Sequence, residues 1–360
     1  MTVDIVVVGA GVSGLTSALL LKQSNKDYNV TVVGYHIPGD LDIDYTSPFA
    51  GGNWHSFASK EDKFLQQIDE PGYKKFMELA RTEPQAGIWI QPNVEYITKY
   101  DFDKKGRDPL KYVPWFKDLV EDFKILDSHD LPDGIAFGFS FSGVIISVPI
   151  YLNYLLQKNL EIGNTIKRVR KLKDIQEARY VNGTKANIVV NATGLLAPQL
   201  KGYKDPKRNF PVKGQVLHVR NKAKHELSVE GFPGYDSEML YIMPRKEGGS
   251  IIGGCFLIDD NTLKIDDVLT QRIIKRAVKY MPELIDKNFD NNPPEIDIVR
   301  TNVGLRPFRE GGVRIEIDPD NKWLIHNYGI GGGGYQGSYG LAEKVVSLTN
   351  KSLTSNSSRL

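Results

Sequence analysis

Gly9-Ala10-Gly11-Val12-Ser13-Gly14 sets three glycines at the G-x-G-x-x-G spacing. The chemistry of such a turn is phosphate binding. Gly9 permits a tight turn, Gly11 lets the backbone approach a pyrophosphate, and Gly14 allows a helix to pack closely on a strand. The N–H groups that open the helix then face negative charge. A second glycine run, Gly331-Gly332-Gly333-Gly334, also stands before a helical pattern. Its uncovered N–H groups suit the pyrimidine side of a flavin, where negative charge develops on reduction. The two runs together predict a dinucleotide with a flavin end, namely FAD. Other chemistries find little. The six histidines, at 36, 55, 129, 218, 225 and 326, lack zinc-ligand spacing, so no metal is expected. There is no Gly-X-Ser-X-Gly elbow, and no Walker lysine follows the first glycine loop.

The flanking elements give the first motif its meaning. Residues 4–8 are a β-branched apolar run, as in a strand buried on both faces. Leu15, Ala18, Leu19 and Leu21 then follow a helical spacing, and residues 29–33 form a second buried strand. This is a βαβ unit. A standard NAD site ends its second strand on an acidic residue. Here that place holds Gly34-Tyr35-His36, which leaves His36 as an adenosine contact or a solvated loop residue.

Further along, residues 39–54 are too rich in Gly and Pro for a helix, and residues 60–130 read as short helices and charged loops. Residues 151–162 predict a helix ending at Gly163. Strands are expected at 165–169, 186–190, 215–219, 240–243, 250–256 and 323–326. A long helix is expected at 267–280 and a last one around Leu341, Val345 and Leu348.

Composition narrows the class. A chain of 360 residues suits two domains. Its 46 basic and 44 acidic residues balance to +2, which gives no nucleic-acid footprint. The lone Cys255 cannot build a disulfide framework, and it reads as a buried small hydrophobe. No apolar stretch approaches the roughly 18 residues of a membrane span, so no membrane partner is expected. Met1-Thr2-Val3-Asp4 lacks the positive flank of a secretory leader. The final Ser358-Arg359-Leu360 is a variant of the Ser-Lys-Leu address, so the peroxisomal import receptor is an expected partner and the peroxisomal matrix the expected location.

Several ordered blocks carry a closer resemblance. They are Val8 to Leu15, Tyr45-Thr46-Ser47-Pro48-Phe49-Ala50-Gly51-Gly52-Asn53-Trp54, and Val190-Asn191-Ala192-Thr193-Gly194. Later come Lys213-Gly214-Gln215-Val216, Tyr241-Ile242-Met243-Pro244-Arg245, Gly304-Leu305-Arg306-Pro307 and His326-Asn327-Tyr328-Gly329 through Gln336. Over nearly its whole length the chain resembles the D-amino-acid oxidases of yeasts and other fungi. The resemblance implies an α/β fold: a Rossmann-type FAD-binding domain with a parallel sheet, plus an α+β substrate domain with a curved mixed sheet. The first would take residues 1–56, 146–210 and 301–350, the second 57–145 and 211–300. Residues 351–360 would be a mobile tail carrying the address.

The resemblance also implies roles. Arg306 matches the arginine that grips the substrate α-carboxylate, a task suited to its planar fork. Tyr241 matches the tyrosine that shares that carboxylate, and Tyr235 a second tyrosine. Gln336 and Gly333 match elements near the flavin and the substrate amine. Asn53 and Phe57 match positions lining the pocket. FAD would be held by residues 9–14, His36, Thr46, Ser47, Gly51, Gly52, Asn53, Val169, Thr193, Gly194, Arg306, Gly331, Gly332, Gly333, Gly334, Tyr335 and Gln336. Lys213 departs from the family's usual arginine, and Gly34-Tyr35-His36 departs from some members.

The implied reaction is hydride transfer from the α-carbon of a D-amino acid to flavin N5, with dioxygen as acceptor. The products would be a 2-oxo acid, ammonia and hydrogen peroxide. The D-configuration comes from the resemblance alone. Three alternatives stand beside it: a D-aspartate oxidase using Arg245 and His55, a sarcosine- or glycine-type amine oxidase, and a non-catalytic flavin-binding protein. Side-chain preference is open from the residues, as is oligomeric state, monomer or homodimer.

Overall fold

The computed structural model describes residues 2–285 and 296–357, so the expected address at Ser358-Arg359-Leu360 lies outside the described residues. The strands run Val3–Val8 (β1), Tyr28–Gly34 (β2), Ile88–Thr98 (β3), Glu121–Ile125 (β4), Ile135–Ile146 (β5), Thr165–Arg168 (β6), Ile188–Asn191 (β7) and Asn209–Val219 (β8). They continue with Glu226–Glu230 (β9), Glu238–Pro244 (β10), Ser250–Cys255 (β11), Leu257–Ile258 (β12), Ile298–Arg309 (β13), Arg314–Ile317 (β14) and Leu324–Tyr328 (β15). The helices are Val12–Ser24 (α1), Lys63–Thr82 (α2), Lys99–Lys104 (α3), Val148–Glu161 (α4), Asp267–Tyr280 (α5) and Ser338–Ser357 (α6).

A six-stranded sheet in the order β14-β15-β7-β1-β2-β6 holds the nucleotide motif. All its neighbours run parallel except β14 against β15. The continuous apolar run of β1 has a simple cause. Ile5 and Val7 face one core cluster while Val6 and Val8 face another. Both faces are covered, so alternation would be penalised.

The second sheet is mixed and nine-stranded, running from β12 and β8 through β11, β10, β9, β3 and β5 to β4, with β13 on the free edge of β8. One face packs under α5. Leu227, Val229, Leu240, Ile242 and Ile252 meet Leu269, Ile273 and Ala277 there. The alternate residues of β9 and β10 must point the other way, towards the six-stranded sheet.

Three expectations need correction. Residues 60–130 are not short helices and charged loops. They contain the 20-residue α2, capped by Asp62 through Leu65 N at 3.0 Å, and the 11-residue β3. Each holds a proline, Pro71 inside α2 and Pro92 inside β3. The helix expected from 151 begins at Val148, with a proline in its first turn. Residues 301–309, expected with the nucleotide unit, pair along β13 with β8, with Gly304 opposite Gly214 and Arg306 opposite Val212. The strand expected at 215–219 begins earlier, at Asn209, and β9, β12 and β14 were not expected, whereas α5 fell where expected at both ends, as did the left-handed Gly163 (φ 87°) after α4. No helix among the described residues is long and apolar enough to cross a membrane.

Candidate active site

A cleft runs between the two sheets and opens to solvent at its mouth. One end is the β1–α1 turn. Gly9 adopts φ 114°, a left-handed value that favours glycine. The first turn of α1 has no cap from its own N-cap residue and no acidic residue, so its N–H groups beyond Val12 remain available to an anion. A Cβ on Gly11 would stand 2.8 Å from Ser47 Oγ, and that oxygen accepts the Val12 N–H at 3.1 Å. The Tyr45 hydroxyl donates to Ala10 O at 2.7 Å and the Tyr335 hydroxyl to Ser47 O at 2.9 Å. The 45–53 loop is thereby tied to both glycine runs, and a lean cradle is left that side chains would fill. These residues fit FAD: residues 9–13, Thr46, Ser47, Gly51, Gly52, Thr193 and Gly194 would hold its pyrophosphate and neighbouring parts.

The other end holds Arg306 and Tyr241. Arg306 Nη1 donates to Cys255 O at 3.0 Å, and the guanidinium lies 4.1 Å from the Phe256 ring centroid. A Cβ on Gly214 would sit 2.7 Å from both Nη atoms. Glycine in the Lys213-Gly214-Gln215 block therefore makes room for the fork of Arg306, its diagonal neighbour across the β13–β8 ladder. Tyr241 is buried. Burial pushes its phenol pKa up, while the Arg306 charge partly offsets this. The hydroxyl keeps its proton and can donate beside the arginine. The pair is suited to a planar carboxylate.

Gln336 reaches the cleft from the turn just before α6 and is held from behind. Its Nε2 donates to Asp69 Oδ2 at 3.2 Å, and Ser56 Oγ donates to the same oxygen at 2.7 Å. Trp115 Nε1 donates to Ser56 Oγ at 2.8 Å. Burial raises the Asp69 pKa to about 7, although the two hydrogen bonds lower it. An acid with a higher pKa folded than unfolded keeps its proton longer in the folded chain. Its stabilising contribution is complete below the ordinary value near 3.8 and is lost as pH rises through about 7. Asp69→Asn should flatten that loss, which is on the order of 4 kcal/mol. Urea midpoints of the two proteins at about pH 4 and about pH 8 would check it. An equal pH dependence in both would show that Asp69 does not titrate in this range.

The cleft brings together most of the expected residues: Gly9, Ala10, Gly11, Val12, Ser13, His36, Thr46, Ser47, Gly51, Gly52, Asn53, Phe57, Val169, Thr193, Gly194, Tyr241, Arg306, Gly331, Gly332, Gly334, Tyr335 and Gln336. Three expected residues do not line it. Tyr235 is 41% exposed and lies against Arg272 and Arg276, at 4.7 and 5.2 Å, on the α5 side. Gly14 serves packing, since a Cβ there would overlap Gly9 O. Gly333 faces Ile330 and Gln336. Arg245, the cation of the D-aspartate alternative, is also outside the lining. It is buried with Nη1 on Ile146 O, and burial lowers its pKa to about 10.

Several residues that the sequence does not single out also line the cleft. Asp44, 3.5 Å from Lys171, lines the adenosine end along with His36, and it supplies an acidic group that the second strand lacks. Glu95, Ser228 and Glu230 line the far wall. The alternation Glu226-Leu227-Ser228-Val229-Glu230 was the available signal for a strand with a polar inner face.

Comparison with known proteins agrees with this geometry. A family model described as FAD dependent oxidoreductase matches residues 4–348. A D-amino-acid oxidase of Fusarium vanettenii is 38% identical, over 98% of each chain. One of Schizosaccharomyces pombe is 36% identical, over 96% of this chain and 95% of that one. The crystal structure of a Bacillus cereus glycine oxidase shares the fold, with a TM-score of 0.73 at 19% identity over 97% of this chain and 95% of that one. The chain is therefore a flavoprotein of the FAD-dependent oxidoreductase family, the family of the fungal D-amino-acid oxidases.

Proposed function

We propose that the protein oxidises D-amino acids to 2-oxo acids, with release of ammonia and hydrogen peroxide. The observation that carries this is Arg306 beside the buried Tyr241 hydroxyl, at one end of a cleft whose other end is a glycine cradle. The names of the two fungal relatives support the substrate class.

When bound, FAD would supply the acceptor for the substrate α-hydrogen and its electron pair, and dioxygen, taking up two electrons and two protons, would leave as hydrogen peroxide. The protein's own work is orientation. Arg306 and Tyr241 hold the α-carboxylate, which fixes one of the four α-carbon substituents. The cleft wall receives the side chain. Gln336, braced by Asp69, stands on the flavin side near the amine. The amine loses its proton to solvent, and the imine hydrolyses in water. No general base is required at the α-carbon, and the groups around it fit that: the buried phenol of Tyr241 and an arginine. The substrate function belongs to the nine-stranded sheet and the FAD function to the six-stranded sheet with its bordering loops.

A substrate panel read by peroxide formation tests the reading. D-Alanine should give peroxide and L-alanine none. D-Aspartate should be poor, because Arg245 is engaged behind the wall and Glu95 and Glu230 face the cleft. Peroxide from N-methylglycine alone would favour the sarcosine-type alternative.

We also place the protein in the peroxisomal matrix, on the strength of Ser358-Arg359-Leu360. A fluorescent protein fused ahead of the full chain should colocalise with a peroxisomal marker. Removal of the three residues should disperse it to the cytosol. An unchanged distribution would contradict the assignment.

A further inference from the structure

The wall opposite the glycine cradle carries an unusual charge pattern. Tyr241, Ser228 and Glu95 are paired in register across β10, β9 and β3, so they form one row on the cleft face. Two strand spacings, roughly 10 Å, separate the ends of that row. Glu230 and Glu226 flank Ser228 along β9. Glu95 is only 4% exposed, and its Oε1 has no hydrogen-bond partner. Its nearest charged-type neighbour is His55, at 3.4 Å from Nε2. Burial lowers the His55 pKa to about 4, so that ring is neutral and supplies no counter-charge. Glu226 accepts from the Asn53 amide, while its Oε2 is also unpartnered. Lys105 bears on Glu230 from outside, but it is itself paired with Asp101 at 2.8 Å.

This wall is expensive as it stands. Burying carboxyl groups without a matching cation is unfavourable, and burial with mutual repulsion pushes the Glu95 pKa well up. We propose that Glu95 and Glu230 form the seat for a cationic substrate side chain, so that long basic D-amino acids, lysine and arginine in type, are preferred over neutral ones of equal length. The inference rests on the function proposed above. The α-carboxylate would sit at Arg306 and Tyr241. The aliphatic stem would cross Ser228, and the terminal ammonium or guanidinium would reach the unpartnered Glu95 oxygen. The row is roughly 10 Å long between backbones, and the Tyr241 ring leans over Gly253 and Gly254 on the side away from β9, so the reach to Glu95 calls for a long side chain. The cation would supply the charge that neither His55 nor Lys105 provides, and Glu95 would be held ionised in the complex.

The test uses the FAD-loaded enzyme with D-lysine, D-arginine, D-norleucine and D-alanine, read by oxygen uptake. D-Norleucine keeps the stem and lacks the charge. We expect kcat/KM for D-lysine to exceed that for D-norleucine by about tenfold or more, the value of a charge-assisted contact. Glu95→Gln should cut that ratio at least about tenfold, and Glu230→Gln by a smaller factor. The proposal is overturned if D-norleucine equals or betters D-lysine in the wild type, or if both variants leave the ratio unchanged. The wild-type panel decides even if a variant fails to fold. Oxidation of D-alanine and D-norleucine without a D-lysine advantage removes only this inference. No oxidation of any of the four removes the proposed function as well.

Discussion

Arg306→Ala should lower kcat/KM for D-alanine by roughly a hundredfold to ten-thousandfold, mainly through KM, while FAD stays bound. Each hydrogen bond between a guanidinium and a carboxylate is worth about 1.5–3 kcal/mol, and two would be lost. One Arg306 N–H group is already committed to Cys255 O at 3.0 Å, and the rest of the fork lies over Gly214 and Phe256. Alanine removes the charge and frees a pocket for water, but it leaves the β13–β8 ladder intact. Arg306→Lys should fall between the two, since it keeps the charge without the fork. Steady-state kinetics with the flavin absorbance of the purified variant would check this. A normal KM in the alanine variant would show that another group holds the carboxylate.

Gly11→Val should abolish tight FAD binding and spare the fold. Gly11 has φ −80° and ψ −177°, a backbone that any residue can adopt, so the substitution carries no conformational penalty. The side chain is the problem. Its Cβ would stand 2.8 Å from Ser47 Oγ and 3.7 Å from Tyr45 Cε2, and its methyls would project into the cradle. They would displace the Ser47 anchor of the Val12 N–H and fill the place of the pyrophosphate. A rise in the FAD dissociation constant of at least about a hundredfold is expected, equivalent to about 2.7 kcal/mol. The urea midpoint of the FAD-free protein should move little. Fluorescence titration with FAD measures the first and chemical denaturation the second. Retained FAD affinity would place the pyrophosphate elsewhere.

Much of the nucleotide half was legible because its signals are local. β1 is apolar on both faces because two separate core clusters cover it, and Gly9 needs a backbone that few other residues adopt. α5 was legible at both ends through its amphipathic spacing and the Pro282 that follows. The substrate wall was harder to read. Pro92 suggests a loop, yet it sits in β3 just before Asn93, where pairing with β9 begins, so no N–H is missed on that side. Pro71-Gly72 suggests a helix end, yet both lie inside α2. Gly72 is there because a Cβ would overlap Gln336 O across the contact with the start of α6, and a long-range contact of that kind leaves no local pattern.

The site followed the same division. Arg306 and Tyr241 were found by their blocks, and the structure sets them at one end of the cleft. Tyr235 was assigned by similar spacing, but the cationic face of Arg272 and Arg276 on α5 draws it to the outside. Asp69 and Glu95 escaped because their meaning is burial. A carboxylate in sequence looks solvated, and only the fold shows one bracing Gln336 and another facing the cleft with one oxygen unpartnered.

Anaerobic mixing of the FAD-loaded enzyme with D-alanine and, separately, with L-alanine would decide whether the flavin is reduced by D-amino acids. Rapid bleaching of the flavin absorbance is expected with the D-enantiomer and none with the L-enantiomer, with the colour restored on admitting dioxygen. An unbleached flavin in the presence of D-alanine and the other D-amino acids of the panel, or equal bleaching by both enantiomers, would contradict the proposed function.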